Sequence, residues 1–384
     1  MDYFLTDEQK EIVEVAHRIA EEKIKPAREE CDENQHFPRA VYDEFAKSDL
    51  CGVYIPEKYG GLGCGVFEQC LIVEELSRVD AGIALALAGT GLATIPIILF
   101  GTEEQKKKYL PDIASGKKIA AFALTESEAG SDAAALKTTA EEKGGHFIVN
   151  GTKCFITNGG DAEVYVVIVK TDPSKGARGA SALIIEKDTP GFSFGKKESK
   201  LGIRASSTRE LVFSDCKVPK ENLLGRAGRG FLIAMKTFDI SRPGVAAQAL
   251  GIAQGALDDA VIYAKGRIQF GAPISSLQAV QHILADMATK TEAARVLVYQ
   301  TAKTIDANPD GKHTKHSAMS KLFASDTAME VATDAIQVMG GYGYMKDYPA
   351  EKRFRDAKIT QIYEGTNQIQ KNEIASALLK EYSG

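Results

Sequence analysis

The apolar pattern of this chain changes period twice, and that constrains its fold more than any single motif does. Up to about residue 118 the signals are helical. Thr6-Asp7-Glu8-Gln9 and Thr102-Glu103-Glu104-Gln105 are capping-box signatures, in which a threonine caps the helix and a glutamine reaches back. Ile12, Val15, Ala16 and Ile19 follow the first at helical spacing, with Pro26 just beyond; the second helix is expected to stop near Gly116. From about Ile119 to Phe231 the signals are for strands. His146–Val149 and Cys154–Ile156 flank Asn150-Gly151, the strongest short-range hairpin signal. Val164–Val169, Ala182–Ile185 and Arg209–Phe213 are further short strands. From about Leu232 the helical period returns. Ala246, Leu250, Ala253, Leu257, Val261 and Ala264 share a stripe whose opposite side is nearly as apolar, as in a helix buried on most sides. Long helices are expected from Leu277 to Ile305 and from Ser317 to Met339. The expectation is an α+β protein: an N-terminal α-helical domain (1–118), a small central β-barrel or sandwich (119–231) and a C-terminal four-helix bundle (232–384).

Composition removes several functions. The net charge is −5, and the longest basic run is Lys106-Lys107-Lys108, so nothing is suited to tracking phosphates and no nucleic-acid partner is expected. The alanine-rich run around Ala81 to Leu99 is too uniformly apolar to face water, but no stretch is expected to reach the roughly 20 residues of a membrane span. Met1-Asp2-Tyr3-Phe4 opens no secretory signal. The six cysteines form no CxxC pair and read as buried thiols of a reducing compartment, which makes a cytoplasmic location the simplest expectation.

Four segments have the makings of a site, and each has a plainer reading. Phe122–Asp132 runs from a strand into small polar residues, which suits a heterocycle or a phosphate as well as an ordinary loop. Phe155-Ile156-Thr157-Asn158-Gly159-Gly160 could stack on a flat ring, or Phe155 could be core. Gln337–Tyr344 is a helix end with extra glycines, or a place where backbone approaches a dinucleotide. Tyr363-Glu364-Gly365-Thr366 puts a carboxylate in a connection between helices; if desolvated there, it would have the raised pKa of a general base. His313-x-x-His316 has ligand-like spacing without a third ligand and reads as a solvated face, so no metal is expected.

In this order, these segments resemble the acyl-CoA dehydrogenase family over roughly Leu5 to Leu379, together with Arg242-Pro243-Gly244-Val245, Arg267-x-x-Phe270-Gly271 and Arg355-Asp356-Ala357-Lys358. The resemblance implies FAD as cofactor and an acyl-CoA substrate. It implies that Phe122, Ala123, Leu124, Thr125 and Ser131 line the flavin ring, with Ser131 also touching the thioester side, and that Phe155, Ile156 and Thr157 pack against it. Arg267, Phe270 and Gln278 would hold the pyrophosphate and adenine half, and Gln337, Val338, Met339, Gly340 and Gly341 would reach the FAD of a neighbouring subunit. Thr366, Asn367 and Gln368 would close over the cofactor; Asp239, Arg242 and Gly365 would bind the substrate. Glu364 would be the catalytic base. Some branches of the family carry the base just before the arginine matching Arg242, but Ser241 stands there. The family's usual tryptophan is Phe155 here. Electron-transfer flavoprotein as acceptor and a homotetramer built as a dimer of dimers are also implied. Gly89-Thr90-Gly91 would widen the acyl cavity or allow close helix packing, with a linear short-to-medium acyl chain the first expectation and an alicyclic one the second.

Overall fold

The computed structural model describes residues 3–382; Met1-Asp2 and Ser383-Gly384, with the start of the leader reading, lie outside the described residues. Six helices come first: α1 (Asp7–Ile19), α2 (Lys25–Asn34), α3 (Arg39–Lys47), α4 (Val66–Val79), α5 (Ala81–Phe100) and α6 (Glu103–Ala114). Both capping boxes form, at Thr6 and Thr102. Pro26 does not end the first helical run. A π turn at Ala20–Ile24 carries it into α2, whose second residue is Pro26.

Eight strands follow: β1 (Ala120–Ala123), β2 (Thr139–Lys143), β3 (His146–Thr157), β4 (Val164–Lys170), β5 (Ala180–Glu186), β6 (Phe192–Lys197), β7 (Thr208–Pro219) and β8 (Leu223–Leu224). They form one connected sheet in the order β6-β7-β3-β2-β4-β5-β8, with β1 parallel to β4. β2 and β4 meet at a single pair, Thr139 with Lys170, so two halves hinge there. Tyr165, Val167 and Val169 of β4 join Phe147 and Val149 of β3 and Leu211 and Phe213 of β7 in one core. Val164, Val166 and Ile168 point the other way, against Ile97, Tyr109 and Leu110 of the helices. β4 is therefore buried on both faces, which is why it reads as an unbroken apolar run.

The hairpin expected at Asn150-Gly151 is absent, because β3 runs straight through it. Gly151 (φ 143°) instead marks a register shift against β7, and Asn150 exchanges hydrogen bonds with Asp215 across the strands. The actual turn is Gly144-Gly145 between β2 and β3, where both residues have the positive φ a tight hairpin needs.

The chain then returns to helix: α7 (Gly230–Gly266), a short antiparallel pair β9 (Ile268–Gln269) and β10 (Ala272–Pro273), α8 (Gln278–Ala307), α9 (Thr314–Met339), α10 (Ala350–Thr360) and α11 (Asn367–Glu381). Residues of α7, α8 and α9 share one core with Phe67, Cys70 and Leu71 of α4, so the terminal helical regions pack as one body. Against expectation, α5 is long and apolar enough to cross a membrane, at 20 residues. Its side chains are instead divided among three interior clusters. His313 is not solvated either; it is buried and hydrogen-bonds the Asn308 carbonyl at 2.7 Å, while His316 is exposed.

One buried ionic cluster ties the parts together. Lys352 Nζ lies 2.7 Å from Asp80 and 2.6 Å from Asp356. Asp80 caps α5 through the Ile83 N–H, and Asp356 accepts from the Ile203 N–H of the β region. Lys352→Met would leave two carboxylates buried without their cation. It should destabilise the protein by about 3–5 kcal/mol, measured by denaturant unfolding.

Candidate active site

A cavity of about 350 Å³ opens where the sheet, α4, α5, α7 and the α10–α11 connection converge. Phe122, Leu124, Thr125 and Ser131 line one wall. This wall leaves β1 as a loop held by a buried ion pair. Lys153 Nζ donates to Glu126 Oε1 (2.7 Å) and to the Leu124 carbonyl (2.9 Å), while Glu126 accepts from the N–H groups of Lys137 and Thr138. Burial pushes the Lys153 ammonium down to about 8, though Glu126 opposes that shift.

Phe155, Ile156 and Thr157 form the adjoining wall. A second register shift against β7 falls between Lys153 and Ile156, and Phe155 takes a left-handed backbone there (φ 59°). The bulge turns its ring outward, leaving it 61% exposed. An aromatic held in a strained conformation and left uncovered is a common mark of a ligand surface. Asn158, also left-handed, ties this turn to α5 and to β1 by donating to the carbonyls of Ala86 (3.2 Å) and Ala120 (3.3 Å). Gly89 is what lets α5 come so close, since a Cβ there would lie 2.8 Å from Thr157 Cγ2. Gly89 thus serves close packing as well as lining the cavity.

Glu364 closes the far side with Tyr363, Gly365, Ser241 and Arg242. It lies between α10 and α11, as the sequence suggested, with a left-handed backbone (φ 50°). Ser241 Oγ donates to its carboxylate at 2.5 Å. Burial raises its pKa; the Ser241 hydrogen bond and the positive charges of Arg242 and Lys321 oppose the rise. Arg242 is buried, 3.9 Å from Asp239, whose own carboxyl is raised chiefly by burial and accepts from Thr314.

Of the residues singled out in the sequence, the cavity gathers Phe122, Leu124, Thr125, Ser131, Phe155, Ile156, Thr157, Arg242, Glu364 and Gly365. Ala123 points into the sandwich core. Thr366 caps α11 by accepting from the Ile369 N–H, Asn367 is buried on Asp326 and Ser325, and Gln368 is exposed. A second hollow, of about 510 Å³, collects Arg267, Val338, Met339, Gly340 and Gly341 with Tyr263 and Tyr342. Gln337, Gln278 and Phe270 (94% exposed) stand outside it on the surface. The sequence reading missed Tyr54, Gln69, Phe238 and Gln248 of the main cavity. Gln69, Phe238 and Gln248 lie on helices and Tyr54 in a turn, and none carries a sequence signal that separates lining from core. Among the described residues, no group of three or more histidine, cysteine, aspartate or glutamate side chains could hold a metal.

Models of the acyl-CoA dehydrogenase N-terminal, middle and C-terminal domains match residues 6–117, 121–216 and 228–379. The chain belongs to the acyl-CoA dehydrogenase family. The acryloyl-CoA reductase (NADH) of Anaerotignum propionicum is 50% identical over 382 residues, covering 99% of this chain and 96% of that one. The butyryl-CoA dehydrogenase structure from Megasphaera elsdenii superimposes with a TM-score of 0.95 at 48% identity, over 99% and 100% of the two chains. A chain in the structure of the electron transferring flavoprotein of Acidaminococcus fermentans reaches 0.96 at 53% identity, again over 99% and 100%. Gly89→Val should overpack the contact of α5 with Thr157 and cost about 1–3 kcal/mol, read as a lower melting temperature.

Proposed function

We propose that this family member is an FAD-dependent acyl-CoA dehydrogenase in which Glu364 removes the α-proton of the acyl thioester. The observation that carries the reading is a carboxylate on one side of the cavity, withdrawn from water, facing a wall with an uncovered aromatic ring. That wall fits a flavin ring: Phe155 offers an apolar face, Thr157 a hydroxyl and Leu124–Thr125 a strand end. FAD, when bound, supplies the acceptor for the hydride leaving the β-carbon, so the acyl group is oxidised to the enoyl thioester.

The chain's own groups do the rest. Desolvation makes Glu364 a stronger base than a surface glutamate, and Ser241 fixes the direction of its carboxylate. The Glu364 N–H has no hydrogen-bond partner among the described residues, which leaves it free to donate to the thioester oxygen as negative charge grows there. Buried Arg242, with Asp239, suits the CoA portion. The Arg267–Gly341 hollow, with Phe270 exposed beside it, suits a dinucleotide shared with a second subunit in a homotetramer. Electron-transfer flavoprotein is the proposed acceptor. The likeness to a reductase supports a second direction, in which Glu364 returns the proton to the α-carbon.

Tyr54 and Gln69 meet beside Gly91 of α5, so bulky side chains fill the helix-lined end of the cavity. This favours a short linear acyl chain. Glu364→Gln should slow flavin reduction by acyl-CoA by about 10²–10⁴-fold in rapid mixing while leaving binding intact. A rate equal to the native one would refute the base assignment. Turnover should rank butyryl-CoA above octanoyl-CoA and both above cyclohexanecarboxyl-CoA; the reverse order would favour the alicyclic alternative.

A further inference from the structure

The turn that bears Glu364 has to be held in place. Glu364 and Gly365 are both left-handed (φ 50° and 89°), a region in which a non-glycine residue such as Glu364 is strained and must be held by its surroundings. Three buried side chains reach the carbonyls of the turn: Arg242 Nε donates to Glu364 O at a long 3.5 Å, and Gln370 and Lys321 take both carbonyls at shorter range. Gln370 Nε2 donates to Glu364 O at 3.1 Å and to Gly365 O at 2.8 Å. Lys321 Nζ donates to Gly365 O at 2.9 Å and to Asn367 Oδ1 at 2.9 Å. Both side chains are 0% exposed. Asn367 is fixed in turn by donating to Ser325 and to Asp326. The chain from α9 to the turn is therefore continuous: Lys321, Ser325 and Asp326 on α9, Asn367 and Gln370 on α11, and the base between them.

Lys321 is the unexpected member. Among the described residues no carboxylate lies within ion-pair distance of its ammonium, and both of its acceptors are neutral. A buried lysine so placed is costly, and packing alone would be served by methionine. We propose that Lys321 and Gln370 are positioning residues, which hold the Glu364–Gly365 turn and so aim the Glu364 carboxylate into the cavity. The proposal rests on the reading of Glu364 as the base. The charged groups that act on Lys321 are Glu364, Arg242 and Asp326; burial dominates and pushes its ammonium down to about 7. In return, its charge favours the ionised form of Glu364.

Lys321→Met, Lys321→Gln and Gln370→Leu should be compared as holoenzymes, per bound flavin. A misplacement of the base by about 1 Å costs about 10²-fold. Lys321→Met and Gln370→Leu should therefore lower kcat by about that factor with little change in KM. Lys321→Met should also raise the pH at which the acid limb of kcat/KM falls, because a positive charge beside Glu364 is gone. Lys321→Gln keeps one donor and should regain part of kcat but not the native acid limb. A role in packing alone would lower the melting temperature and leave per-flavin kcat and the acid limb unmoved, which would overturn the proposal. If Lys321→Met does not fold, the other two variants decide on the same criteria. Glu364→Gln separates the two readings: full activity there removes the base itself. An inactive Glu364→Gln beside native-like lysine and glutamine variants removes only the positioning claim.

Discussion

The chemistry proposed for the cavity depends on the desolvation of one carboxylate. Glu364 is half-buried in a cavity wall, and burial is the largest influence on its ionisation. Opposing it are one hydroxyl, from Ser241, and the positive charges of Arg242 and Lys321. Too little stabilisation would leave the group protonated and useless as a base. Too much, such as a direct ion pair, would make it an inert carboxylate. A serine hydrogen bond with offset positive charges falls between these limits.

The same economy of buried charge recurs where loops leave regular elements. Lys153 holds the loop after β1 through one carboxylate and one carbonyl, and Lys321 holds the Glu364 turn through neutral acceptors. Both ammonium groups are depressed, to about 8 and about 7. Lys352, between Asp80 and Asp356, is raised because two carboxylates outweigh its burial. Each lysine reaches from one element to the connection of another, so the walls of the cavity are set by long-range contacts rather than by the loops themselves.

That is also the boundary of what could be read in the sequence. Capping boxes at Thr6 and Thr102 are local hydrogen-bond patterns, and both were legible. So were the change of period near Ile119 and the placing of Glu364 between two helices. Asn150-Gly151 misled because its turn preference is outweighed by pairing of β3 with β7 over its whole length; the extra residue is absorbed as a bulge. Glycine at 144 and 145, weaker as a motif, makes the turn. The 20 apolar residues of α5 fit a membrane span by length, and only the packing around them shows an interior helix. In the sequence Ser241 reads only as a residue unable to act as the base, and Lys321 carries no signal at all. Their roles exist through contacts 123 and 44 residues away along the chain, which no local pattern encodes.

The most direct measurement is an infrared titration of the Glu364 carboxyl itself, taken as the difference between the native protein and Glu364→Gln. The structure predicts that the protonated-carboxyl band persists to a pH above the ordinary glutamate value of about 4.3, because burial disfavours the charged form. A band that vanishes at or below that value would mean Glu364 is solvated like a surface carboxylate, and the central claim would be wrong.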